Sequence, residues 1–213
     1  MKKALCAVLY LCLALCLPLS ACKKAEKPDG GDNTPVENTE NAQEQPTPTV
    51  TPPPADYDFD RTSFAYSDEY LSFTLPAGQS GLNDATQPDD AILRYLSFFP
   101  EGGDGESDEN TLYYVQNIGS IYDGAIYAYY TQEMFETELG AWNETSVETL
   151  RFEPVTGANY SGVIYEYTVT YDGTPMRQLI WSAARTDGVA LTVIFTFGDE
   201  AEVNASAASI RVK

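Results

Sequence analysis

Two turns of the same kind, close together, do most to limit what this chain can fold into. In residues 163–171, Val163, Tyr165, Tyr167, Val169 and Tyr171 fall on one side of an extended chain, because successive strand side chains point to opposite faces. Asp172-Gly173 follows, a pair suited to the positive φ angles of a tight hairpin. Residues 176–185 read as a second strand, Asp187-Gly188 as a second turn, and residues 189–197 as a third strand. Two strand–turn–strand joints in succession predict an antiparallel meander. Gly198-Asp199 ends it, and Asp199, Glu200 and Glu202 precede an alanine-rich stretch. Acids suit the positive end of a helix dipole, so a short helix is expected there.

The N-terminal half carries weaker signals of the same type. Residues 70–75 alternate and stop at Pro76. In residues 92–99, Ile92, Arg94, Leu96 and Phe98 oppose Leu93, Tyr95, Ser97 and Phe99; with both sets largely apolar, a central strand is expected. Residues 111–118 and 150–155 are further strand candidates. Thr131 is placed to cap a helix running through Trp142, with Met134, Phe135 and Leu139 on one face. The expected fold class is α+β: a largely antiparallel sheet with about two helices packed on it.

The four cysteines, Cys6, Cys12, Cys16 and Cys22, all lie in the first 22 residues. Lys2-Lys3 opens that segment, an apolar run from Ala4 to about Leu17 follows, and Leu19-Ser20-Ala21-Cys22 closes it. A run this short, ending in small residues, reads as a secretory signal rather than a mature membrane span. The closing four residues resemble the lipobox of bacterial lipoproteins. That resemblance implies a diacylglycerol on the Cys22 thiol, cleavage just before it, and a mature chain on the extracytoplasmic face of the cell membrane. Residues 1–21 are then a signal peptide, and Cys22 is the only cysteine kept. Two acyl chains hold stably, at about 0.8 kcal/mol per buried CH₂. Lys23, Lys24 and Lys27 stand beside the anchor and either strengthen its hold on an anionic leaflet or are simply solvated.

Residues 22–55 form the next unit. Beyond the anchor there is no hydrophobic period, and residues 45–54 are almost all Pro and Thr. Such a stretch buries too little apolar surface to offset chain entropy. A disordered, partly polyproline II spacer is expected, with an average reach of about 30–35 Å.

Residues 56–213 are expected to form a single domain. The five lysines named above and six spacer acids fall outside it, which leaves seven bases against 26 acids and a net charge of −19. Binding to nucleic acid is not expected, because neutralising phosphates takes a surplus of cations. The chain has no histidine and the domain no cysteine, so Ser–His and Cys–His catalysis are excluded. The domain's only lysine is Lys213, which disfavours a Ser–Lys dyad.

The order of elements is similar to that of the Mog1/PsbP-like superfamily, which includes many small bacterial lipoproteins. The similarity runs from Phe64 to Arg211: the strand before Pro76, a central helix, a meander with an Asp-Gly turn, and a terminal helix entering Ser209-Ile210-Arg211. Where relatives often carry Pro-x-x-Trp, this chain has Pro76-Ala77-Gly78-Gln79. The resemblance implies no shared catalytic residues, and relatives mostly bind proteins or assist assembly.

Two constellations are candidate sites. In the acidic loop 101–110, Asp104, Glu106 and Asp108 alternate as carboxylates do in calcium loops. Yet Glu109 stands where a glycine is expected, and Val115 where a bidentate Glu would fall, so a solvated hairpin loop is the alternative. Tyr122, Tyr127, Tyr129 and Tyr130 cluster before the expected helix and offer flat amphipathic area for a ligand. Filling of the core and rim is the alternative, and it also accounts for Tyr165, Tyr167 and Tyr171. The expected function is a non-enzymatic, membrane-anchored binding or assembly module for an extracytoplasmic protein or small ligand, with no cofactor beyond the diacylglycerol. A carboxylate-dependent wall-glycan hydrolase and a calcium-binding structural domain are the alternatives.

Overall fold

The computed structural model describes residues 56–86, 91–103, 109–119, 131–143, 147–171, 174–196 and 198–213. They form two antiparallel sheets and two helices, an α+β architecture. The smaller sheet contains β1 (Tyr57–Asp60), β2 (Ala65–Asp68), β3 (Leu71–Thr74) and β11 (Arg211–Val212), in that order. The larger contains β4 (Gly81–Asp84), β5 (Ile92–Phe99), β6 (Thr111–Asn117), β7 (Val147–Thr156), β8 (Tyr160–Tyr171), β9 (Thr174–Arg185) and β10 (Val189–Thr196). Its strand order is β4-β5-β6-β10-β9-β8-β7. The helices are α1 (Gln132–Asn143) and α2 (Glu200–Ser209).

The meander forms as predicted. In β8, β9 and β10, Tyr171 lies opposite Thr174 and Ala190 opposite Ala184. Asp172 and Gly173 lie outside the described residues. At the second turn Gly188 takes φ +84°, and its N–H donates to Arg185 O at 3.1 Å. The Asp187 carboxylate accepts from Arg185 Nε at 3.1 Å, which fixes the turn from the side. The strands predicted from residues 70–75, 92–99 and 111–118 are also present, as β3, β5 and β6, and β5 lies inside the sheet. The strand predicted over 150–155 is longer, because β7 pairs with β8 from Val147 to Thr156 around a bulge between Thr149 and Arg151.

One sheet was expected and two are present. Tyr66, Leu71, Phe73 and Leu75 from the smaller sheet pack on Leu96, Phe98, Tyr113, Leu191, Val193 and Phe195 of the larger one. The Tyr66 ring meets Phe98 and Tyr113 edge-on at 5.3 and 5.4 Å, an arrangement aromatic quadrupoles favour. Helix α2 joins this layer through Val203 and Ala207. It is the short helix expected there, and Asp199 caps it, accepting from Glu202 N–H at 3.0 Å.

The opposite face of the larger sheet carries α1. Thr131 Oγ1 accepts from Met134 N–H at 3.3 Å, which is the predicted cap. Phe135 and Leu139 are buried against Tyr165, Tyr167 and Val169. Met134 is a correction: it is 40% exposed. It sits one residue, about 100° of helix rotation, from Phe135, and the seam against the sheet is too narrow to include it.

The strands β8 and β9 pass closely at Gly162, which lies opposite Ala183. A Cβ at Gly162 would stand 2.0 Å from Ser182 O and 2.6 Å from Ala183 Cα, both backbone atoms. Gly162→Ala is therefore expected to lower stability by about 1–3 kcal/mol, read as a fall in the urea midpoint. An unchanged midpoint would show that the two strands separate freely here.

Candidate functional site

The side chains expected to carry function fall in two groups. Tyr122, Tyr127, Tyr129, Tyr130, Asp104, Glu106, Asp108 and Cys22 lie outside the described residues. Tyr165 and Tyr167 are described and are core residues. Their rings stack at 5.2 Å, and Phe135 covers Tyr165 at 5.1 Å. The alternation in β8 thus serves packing under α1, where Tyr165 and Tyr167 present no ring to solvent. Among the described residues, no group of three or more His, Cys, Asp or Glu side chains is placed to hold a metal ion.

The polar chemistry of the described residues is concentrated at two buried carboxylates, Asp68 and Glu166. Asp68 ends β2 and lies between the sheets. Its Oδ1 accepts backbone N–H groups from Tyr70 and Leu71 at 2.8 and 2.9 Å. Its Oδ2 accepts hydroxyls from Tyr66 and Tyr113 at 3.0 and 2.9 Å. Arg94 Nε approaches the same oxygen at 3.7 Å, and the Arg94 guanidinium lies 5.4 Å from the Tyr57 ring centroid. A carboxylate offers about four lone-pair sites, and four donors already occupy them. Burial pushes the Tyr66 and Tyr113 hydroxyls well above their usual range, with the neighbouring Asp68 charge adding to the effect. Both phenols therefore remain donors to Asp68.

Glu166 lies in β8, opposite Arg151 of β7. Its Oε1 accepts from Arg177 Nε at 2.7 Å and from Arg177 Nη2. Arg151 Nε stands 3.6 Å from its Oε2. Arg177 also reaches the first residue of α2, donating from Nη1 to Glu200 at 2.8 Å. That hydrogen bond is the main cause that holds the Glu200 carboxyl below its usual range. The cluster ties β7, β8, β9 and α2 together on the face of the larger sheet opposite α1.

Asp68 is held by four donors from its own chain and Glu166 by Arg177 at Oε1, and a third polar seam is also built within the chain. There Tyr165 Oη and Thr149 Oγ1 lie 3.0 Å apart, and Thr149 also donates to Glu136 of α1. On the Glu166 face of β7 and β8, Val155, Ile164 and Tyr160 are half-buried and pack against the core between the sheets. Sequence alone pointed to none of these residues. The Asp68 and Glu166 clusters join residues from distant strands, and only the strand pairing brings them together.

No family model and no curated protein matches the chain. Among solved structures, the chain is similar to cyanobacterial PsbP (CyanoP) from Synechocystis sp. PCC 6803, determined in solution. The identity is 14%, the match covers 74% of this chain and 91% of that one, and the TM-score is 0.45.

Proposed function

We propose that the protein is an extracytoplasmic lipoprotein, anchored to the membrane through diacylglycerol on Cys22, whose domain is a non-enzymatic binding or assembly module for a protein or small ligand. The observation that carries this reading is the internal engagement of Asp68 and Glu166. In a domain without His or Cys, carboxylates are almost the only source of acid–base chemistry. Among the described residues the two buried ones hold strands together, Asp68 through four accepted hydrogen bonds and Glu166 through its Arg177 clamp, which suits a rigid scaffold better than a reactive centre. The spacer adds reach, carrying the domain some tens of ångströms from the bilayer.

Cross-linking of the full-length protein in its native membranes, followed by pull-down, tests the reading. A saturable partner supports it. Absence of any partner, or turnover of purified wall glycan that one Asp or Glu substitution abolishes, overturns it. The anchor has its own test. Cys22→Ser is expected to move the protein from the membrane to the soluble fraction and to abolish labelling by a fatty-acid analogue, since two acyl chains supply the stable hold. Retention of both in the variant would remove the lipoprotein assignment.

A further inference from the structure

We draw no further inference here: the strongest candidate, the row of buried hydroxyl side chains that Tyr114, Thr192 and Ser182 form across β6, β10 and β9 on the face that carries α1, points to no partner, because nothing among the described residues shows what covers it.

Discussion

Asp68→Ala is expected to lower the stability of the domain by about 3–5 kcal/mol, the usual cost of removing one partner from a buried charge pair. The loss has three sources in the same few ångströms. The Tyr66 and Tyr113 hydroxyls lose their acceptor, the N–H groups of Tyr70 and Leu71 lose theirs, and Arg94 keeps a buried charge with no counter-ion. Domains commonly have only about 5–15 kcal/mol in total, so much of the margin disappears. Asp68→Asn is expected to cost less, because its amide oxygen still accepts hydrogen bonds while the charge is lost. Urea unfolding of the three proteins gives the order directly. A loss below about 1 kcal/mol for the alanine variant would mean that water replaces the carboxylate and that the cluster does not hold the sheets together.

The same cluster predicts steep alkaline instability. Burial raises the Tyr66 and Tyr113 hydroxyls well above the ordinary tyrosine value of 10.0, with the Asp68 charge as the next cause. In the unfolded chain both phenols ionise near that value, whereas in the folded domain they hold their protons. The folded state therefore binds more protons above pH 10, and stability falls as pH rises. The slope is about 1.4 kcal/mol per pH unit for each group, or about 2.7 for the pair. Below pH 10 these two groups leave stability unchanged. Tyr165, raised mainly by burial under α1, acts in the same direction. Urea midpoints between about pH 9 and 12 should show the fall, with the share of phenolate absorbance due to Tyr66 and Tyr113 appearing only on unfolding. Tyr113→Phe is expected to reduce the slope by about 1.4 kcal/mol per unit, although it is less stable at neutral pH for want of one hydrogen bond to Asp68. Equal urea midpoints at about pH 9 and pH 12, or a fall with pH that Tyr113→Phe leaves as steep as in the wild type, would end this account.

The meander was legible because three kinds of local information agree there. Val163 to Val169 alternate, Asp187-Gly188 has the geometry of a tight turn, and the acids Asp199, Glu200 and Glu202 suit the start of the alanine-rich helix after it. Helix α1 was legible for a similar reason, since Thr131 sits ahead of Phe135 and Leu139 at helical spacing. Met134 was misplaced because periodicity gives a stripe but not its width. Strands β1, β2, β4 and β11 were not legible. None exceeds four residues, and Asp58, Asp60, Asp68 and Asp84 interrupt their apolar pattern. They are held by distant partners, as where Val212 pairs with Leu71, and no local window contains that information. The Asp68 cluster was hidden in the same way: it joins positions 66, 68, 94 and 113, which only the strand pairing gathers. The lack of His and Cys narrows acid–base chemistry to carboxylates, but composition does not say which of 26 acids is buried.

The smaller sheet places Arg211 opposite Ser72 and Val212 opposite Leu71, with Lys213 N–H donating to Tyr70 O at 2.9 Å. Its first three strands thus wait for a fourth made about 140 residues later, and the larger sheet likewise needs β10 to join β6 to β9. Contacts so far apart in sequence close slowly. A chain threaded across a membrane from its N-terminus would be unable to complete either sheet until almost all of it had emerged. In a chain exported as proposed above, this topology would delay the locking of the two layers until the far side was reached.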